Sequence, residues 1–312
     1  MEEIGSANIR LADSVKHPET REVFRALDSQ IKGLIQTHRE TSTRWSPHEY
    51  VPWGEGEDYV SKPWKPDQSP YSPAIVTALE TNLLTEDNLP YYHAIIAGCS
   101  EPGTALAEWN GIWTSEEATH AQAIRDYMML KRVMDPDQME RNRLIMMQVG
   151  FHRPYANAYE VFAYTTAQEL ATRISHVETG RKSGDKGLLK LLGMVSRDEN
   201  YHYIFYRNLV KSLLEIIPEK MLPAIAAQFY SFGMPGGALE DFSARSEIFE
   251  KERIFGGIEF RDGVVKPILS HWKIDQIRGL SPAAEKAQER ILKLESVLTR
   301  SLERAARQRS ST

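Results

Sequence analysis

Cysteine is almost absent from this 312-residue chain, in which Cys99 is the only one. A single thiol cannot form an intramolecular disulfide, a thiolate zinc site or a cysteine-ligated iron–sulfur cluster, so we expect a reducing compartment, the cytoplasm. Long hydrophobic runs are also absent, because no stretch reaches the 18 apolar residues that a membrane-spanning helix needs. The first residues carry neither a basic nor an apolar segment. We therefore expect no secretory signal and no membrane insertion.

Charge of one sign is not in large excess. The chain has 38 basic and 43 acidic side chains, which give a net charge of −5. This balance disfavours nucleic acid as a partner. An apolar fraction of 41% with 26% charged residues is typical of a globular chain that buries a substantial core.

The spacing of the apolar residues predicts an all-α protein. We expect a first helix over about 6–39, a bundle of helices near 74–98, 104–133, 137–149, 155–180, 185–215 and 219–231, and a final amphipathic helix over 282–308. The segment from Trp45 to Pro73 contains too many prolines for a long helix, and its tryptophans predict a packed surface arm. No internal repeat is visible, and we expect one mostly helical domain, 1–312.

Two segments share one pattern. Each has two adjacent acidic residues and a histidine three residues after the second acid. They are Glu116-Glu117-Ala118-Thr119-His120 and Asp198-Glu199-Asn200-Tyr201-His202. On a helix, each Glu-x-x-His pair shares one face, and in both segments that face is otherwise apolar. A buried carboxylate needs a positive partner.

The positive partner expected here is a pair of metal ions. A Glu-x-x-His pair from each of two helices, with one Glu from each of two others, is the ligand set of ferritin-like di-metal bundles. Four carboxylates neutralise two ferrous ions, and carboxylate and imidazole ligands with open positions suit iron. The alternative for each pair is a buried salt bridge with Arg125, Arg173 or Arg197. Periodicity does not choose the two remaining carboxylates, which could come from Glu160, Glu169 or Glu178 on one helix and from Glu80, Glu86 or Asp87 on another.

Four motifs resemble the soluble acyl-acyl carrier protein desaturases, the family of the plastid stearoyl enzymes and their actinobacterial relatives. The motifs are Thr85-Glu86-Asp87-Asn88-Leu89-Pro90, Trp113-Thr114-Ser115-Glu116-Glu117 through His120, Gln168-Glu169-Leu170-Ala171-Thr172-Arg173-Ile174-Ser175-His176, and Asp198-Glu199 through His202. The tail, Gly279-Leu280-Ser281 through Lys286-Ala287-Gln288, is also similar to the plant proteins. The resemblance therefore covers most of the chain.

This resemblance implies a ferritin-like helix bundle with extra peripheral helices, a metal-binding core over about 74–231 and accessory helices over about 240–308. It implies dioxygen-dependent desaturation of an acyl chain carried on acyl carrier protein, two Fe²⁺ ions, electrons from a ferredoxin-type donor and a homodimer. The implied iron ligands are Glu86, Glu117, His120, Glu169, Glu199 and His202. Thr172 would lie beside the dioxygen site. Trp45, Asp198 and His120 match residues that are proposed to form an electron route to the iron in this family.

The chain also departs from the family's pattern. Leu170 replaces the arginine that follows the third ligand in the plant motif, and Ile95, Gly98 and Cys99 stand where the family lines its acyl channel. The acyl chain length and the position of the double bond are therefore open. A ribonucleotide reductase small subunit is disfavoured, because Ile124 occupies the position of its radical tyrosine. A di-iron hydroxylase and a non-catalytic ferritin-like homologue that binds iron or acyl carrier protein are the remaining alternatives.

Overall fold

The computed structural model describes residues 18–237 and 239–309, and no β-strand occurs among them. The all-α prediction is confirmed. The main helices are α1 (Pro18–Thr41), α2 (Pro73–Glu86), α3 (Leu89–Ala97), α4 (Ala105–Leu130), α5 (Pro136–Val149), α6 (Ala158–Lys182), α7 (Lys186–Ile216), α8 (Pro218–Tyr230), α9 (Phe242–Lys251), α10 (Lys266–Trp272) and α11 (Pro282–Arg309).

Polar side chains fix where the bundle helices begin. The side chains of Ser72, Thr104, Asn157 and Asp185 accept hydrogen bonds from backbone N–H groups in the first turns of α2, α4, α6 and α7. Such caps satisfy donors that have no partner within the helix, and each contributes about 1 kcal/mol. The sequence thus sets the start of all four helices that later carry the candidate site.

Helices α2, α4, α7 and α6 form a closed ring of contacts, because each packs against the next and α6 returns to α2. The most extensive pairing joins α6 and α7. At that pairing, a Cβ on Gly180 would lie only 3.1 Å from the Cα of Leu189, so the glycine permits the two helices to approach closely. Helix α1 covers α4 and α7 from outside, and α8 covers α6 and α7. The result is a four-helix bundle whose interior is screened from water.

The predicted helix over 74–98 is wrong in one respect, since α2 ends at Glu86 and α3 begins at Leu89. Asp87 and Asn88 form the break, and Pro90 lies at the start of α3. Proline is favoured in the first turn of a helix, so Pro90 was the signal for a new start. The part of the predicted first helix before residue 18 lies outside the described residues.

The Trp/Pro-rich arm is packed as predicted and contains only short 3₁₀ turns. The Tyr59 hydroxyl donates to the carbonyl oxygen of Met129, and Trp64 Nε1 donates to that of Arg132. These bonds anchor the arm to the end of α4. The anchoring places Trp45 beside the bundle.

The C-terminal helices lie against the outside of the bundle. A π-helical turn, Phe260–Val265, leads into α10 and packs on α6, while α11 packs on α8. No helix in the described part of the chain is long and apolar enough to cross a membrane. The division into one domain, with a core over about 74–231, stays a prediction.

Candidate metal centre

The structure brings the six predicted ligands together inside the bundle. Glu86 ends α2, Glu117 and His120 lie one turn apart on α4, Glu169 lies on α6, and Glu199 and His202 lie on α7. None of the six is more than 5% exposed. Their ligand atoms form two groups in which all atoms lie within 4.8 Å of one another: Glu86, Glu117, His120 and Glu199, and Glu117, Glu169, Glu199 and His202.

The two groups share Glu117 and Glu199, which therefore lie between them. His120 Nδ1 lies 3.7 Å from Glu117 Oε1 and 3.7 Å from Glu199 Oε1. His202 Nδ1 lies 2.9 Å from Glu117 Oε1 and 3.6 Å from Glu169 Oε2. Each histidine thus turns its Nδ1 atom toward the shared carboxylates.

The atoms that face the centre of this cluster make no hydrogen bond of acceptable geometry, although His202 Nδ1 and Glu117 Oε1 lie 2.9 Å apart. They are Glu117 Oε1, His120 Nδ1, Glu169 Oε2, Glu199 Oε1 and His202 Nδ1. A buried polar atom without a partner costs about 1–3 kcal/mol, and natural proteins contain few of them. Five such atoms converging in one place fit a group that accepts electron pairs from oxygen and nitrogen. The donor set, carboxylates with imidazoles, is one that first-row transition metals bind.

Without a bound metal, the cluster holds protons, because its buried carboxylates lie close together and raise one another's pKa. Burial and the neighbouring Glu86 carboxylate raise the pKa of Glu117 to about 8. Burial and the charge of Glu117 raise the pKa of Glu199 well above its usual value. Although burial lowers it, the hydrogen bond with Asp198 raises the pKa of His120 to about 9. These carboxylates therefore cannot all ionise without cations between them.

A second layer of carboxylates orients the two histidines in a crossed pattern. His120 of α4 places Nε2 3.2 Å from Asp198 Oδ2 of α7, and His202 of α7 places Nε2 2.8 Å from Glu116 Oε2 of α4. Hydrogen bonds at Nε2 leave Nδ1 free to bind a metal. Each carboxylate is the residue that precedes a predicted ligand in sequence.

Groups from the N-terminal part of the chain hold these carboxylates. Trp45 Nε1 donates to Asp198 Oδ2 over 2.5 Å, and the Trp45 ring stacks on His120 with centroids 6.3 Å apart. His38 Nε2 lies 3.0 Å from Glu116 Oε1. The sequence reasoning missed His38 because no local pattern joins it to a segment 78 residues away.

The predicted residue Thr172 also lies at the cluster. Its Oγ1 is 3.0 Å from Glu199 Oε2 and 3.1 Å from the backbone oxygen of Gln168, so the hydroxyl can donate to either. His176, on the same helix, places Nε2 3.0 Å from Glu86 Oε1. Trp113 Nε1 donates to Glu169 Oε1 over 3.1 Å. One oxygen of each of Glu86, Glu169 and Glu199 is therefore held by a neighbouring side chain, while the other oxygens of Glu169 and Glu199 have no partner.

Six acidic residues were candidates for the two remaining ligands, and their partners in the structure distinguish them. Glu80 pairs with Arg245, Asp87 with Arg143 and Glu178 with Arg181. Glu160 accepts hydrogen bonds from the backbone of Ala156 and from Gln228. Only Glu86 and Glu169 of the six candidates face the cluster, as the resemblance implies.

The alternative of buried salt bridges is not supported by the geometry. Arg125 pairs with Glu140 over 2.8 Å, away from the cluster. Within residues 18–237 and 239–309, no ion pair joins Arg173 or Arg197 to the six residues.

Comparisons with known proteins agree with the architecture and the motifs. A family model described as fatty acid desaturase matches residues 19–312. DesA1 of Mycobacterium tuberculosis, named provisionally as an acyl-[acyl-carrier-protein] desaturase, is 33% identical over 264 residues, or 81% of this chain and 78% of that protein. The chloroplast stearoyl-[acyl-carrier-protein] 9-desaturase of Ricinus communis is 27% identical over 311 residues, which cover 92% and 78% of the two chains.

A solved structure shows the same fold. The X-ray structure of M. tuberculosis DesA2, also named provisionally as an acyl-ACP desaturase, superposes with a TM-score of 0.69 at 23% identity and covers 85% of this chain and 99% of that one. The family resemblance is confirmed by the family model and by the relative at 33% identity. This chain belongs to the fatty acid desaturase family.

Proposed function

We propose that this chain introduces a double bond into a saturated acyl chain carried as a thioester on acyl carrier protein, using dioxygen, two external electrons and a pair of Fe²⁺ ions. The observation that carries the proposal is the convergence of five unpartnered, buried ligand atoms inside a bundle of this family. The names of the relatives in M. tuberculosis and Ricinus communis support the substrate class.

The six clustered residues would hold the two ions. Glu86, Glu117, His120 and Glu199 would hold one ion, and Glu117, Glu169, Glu199 and His202 would hold the other. Four carboxylates match the charge of two Fe²⁺ ions, so the loaded site is neutral. When bound, the iron pair supplies dioxygen activation and the oxidising power to remove two hydrogen atoms from adjacent carbons.

The chain's own residues would orient the imidazole ligands, exclude water from the site and hold a proton beside it. Asp198 and Glu116 fix the two imidazole rings, which directs Nδ1 of each toward the metal positions. Thr172 would hold or release a proton at Oγ1, because both Glu199 and the helix backbone lie within hydrogen-bonding distance of its hydroxyl. Burial of all six ligands excludes bulk water, which would otherwise intercept the reaction.

An external electron donor is inferred from the cysteine content of the chain. A single cysteine cannot build an electron-carrying cluster, so electrons come from outside, and a ferredoxin-type donor is proposed. Trp45, Asp198 and His120 form a continuous contact from the arm to the cluster and are proposed as the electron route. A homodimer in the cytoplasm is part of the same proposal.

Replacing Trp45 with phenylalanine tests that route. An aromatic ring is retained, but the indole N–H donor to Asp198 is lost, so electron entry through His120 weakens. We expect turnover with a ferredoxin donor to fall about 10- to 100-fold, the usual cost of losing a group behind a metal ligand. Iron content and the yield of a single turnover after chemical reduction stay unchanged.

The matched control for this variant is Trp53→Phe, because Trp53 lies in the same arm but is 50% exposed. It should keep full turnover. Equal rates in the Trp45 and Trp53 variants would show that electrons enter elsewhere.

The function itself is tested by incubating the iron-loaded chain with a ferredoxin reducing system and a panel of acyl-acyl carrier proteins. Loss of two mass units per acyl chain is the expected result. A gain of sixteen units would identify a hydroxylase instead. Two iron ions per chain without any acyl product would favour a non-catalytic homologue.

A further inference from the structure

A cavity of about 270 Å³ adjoins the cluster on the side of Thr172. One wall is polar and includes Thr81, Asn82 and Thr85 of α2 together with Thr172 of α6. The rest of the lining is apolar at Met234, Phe242, Phe249 and Phe255, and it also includes the charged residues Arg245 and Glu250. Since Thr172 lines the cavity and also contacts Glu199, the cavity adjoins the proposed iron site.

Asn82 differs from its neighbours on the polar wall. The hydroxyls of Thr81, Thr85 and Ser246 each donate to a backbone oxygen. Asn82 is 5% exposed, and its side-chain oxygen accepts from Ser175, but its Nδ2 atom has no partner. Among the described residues that line this cavity, it is the only one with a buried, unpartnered polar side-chain atom.

We propose that Asn82 donates a hydrogen bond to the thioester carbonyl oxygen of the acyl substrate and so sets which carbons reach the iron site. This inference rests on the proposed function. Asn82 lines the cavity, and its Nδ2 atom is buried at that wall without a partner. An alkyl chain offers no acceptor, so a donor at this position marks the polar end of the substrate. Arg245, which also lines the cavity, is already paired with Glu80 and Asp241, so the acceptor for Asn82 is taken to be a neutral carbonyl and not a carboxylate.

The position of Asn82 predicts where the double bond forms. Asn82 and Glu86 are one helical turn apart on α2, or about 6 Å along the axis. An extended chain advances roughly 1.2 Å per bond, so about five bonds span that distance. The new double bond therefore begins within about seven carbons of the carbonyl carbon.

The interaction is measured with the full-length, metal-free chain and two ligands. One is S-hexadecanoyl-phosphopantetheine, and the other is its hexadecyl thioether, which has CH₂ in place of the carbonyl. The wild-type chain should bind the thioester about five- to tenfold more tightly, the value of one hydrogen bond. Asn82→Leu should bind both equally. Ser175→Ala removes the hydroxyl that donates to Asn82 and leaves Nδ2 in place, so it should keep the preference.

Equal binding of both ligands by the wild-type chain would overturn the inference, as would a preference that persists in Asn82→Leu. A double bond at the ninth carbon or beyond would overturn it while leaving the desaturase activity intact. Failure of the wild-type chain to bind either ligand would overturn both the inference and the proposed function.

Discussion

Replacing Glu199 with glutamine is expected to abolish both iron-dependent stabilisation and acyl desaturation. Loading two sites at 100 times their Kd stabilises the wild-type chain by about 2.7 kcal/mol for each site. For a chain of this size, we expect Tm to rise by about 10 °C. Glutamine has the shape of glutamate but cannot bridge two cations as an anion, so the variant should show no rise in Tm.

Without iron, the Glu199→Gln substitution should not lower Tm. Glu199 is buried beside Glu117 and Glu169, and its pKa is raised by that burial and by those charges. Removing the carboxylate therefore leaves the metal-free Tm unchanged or slightly higher. Thermal unfolding with and without anaerobic Fe²⁺ measures both effects.

The matched control is Glu178→Gln, since Glu178 lies on α6 and pairs with Arg181 outside the cluster. It should retain iron binding and turnover. Normal iron loading in Glu199→Gln would show that the ligand assignment is wrong.

The metal-free chain is expected to lose stability as the pH rises from about 4.5 to 9. The pKa of Glu117, about 8 in the folded chain, lies above its ordinary value of 4.5, and the pKa of His120, about 9, lies above its ordinary value of 6.5. Both groups hold protons more tightly when folded. Their contribution is complete below the ordinary pKa and is lost as the pH rises through the folded pKa. Between the two pKa values, each group costs about 1.4 kcal/mol per pH unit.

Metal binding should remove this dependence, because ligands must release their protons to bind. Urea unfolding at pH 6, 7, 8 and 9, with and without Fe²⁺, measures the difference. Glu117→Gln should flatten the metal-free profile in part. A metal-free chain that becomes more stable toward pH 9 would contradict the assignment of buried, protonated groups.

The two Glu-x-x-His pairs could be predicted from sequence because each interrupts an apolar stripe at helical spacing. Glu86 and Glu169 could not be chosen in the same way. Helices α2 and α6 are buried on most of their faces, so no exposed side provides a reference for the buried one. The resemblance to known motifs supplied both residues.

Contacts between residues far apart in the sequence could not be predicted either. Glu80 pairs with Arg245 of α9 and Asp87 with Arg143 of α5, whereas Glu86 faces the cluster. No local pattern reveals these pairs. Asn82 lacks such a signal as well, since only the packed structure shows that its Nδ2 atom has no partner.

Anomalous X-ray scattering at the iron edge, from crystals of the Fe²⁺-loaded chain, tests the ligand assignment most directly. Two peaks should lie between α2, α4, α6 and α7, with Glu117 and Glu199 contacting both and with metal–ligand distances of about 2 Å. Peaks only at the surface, or a bundle interior in which these side chains bind no iron, would contradict the proposed di-iron site.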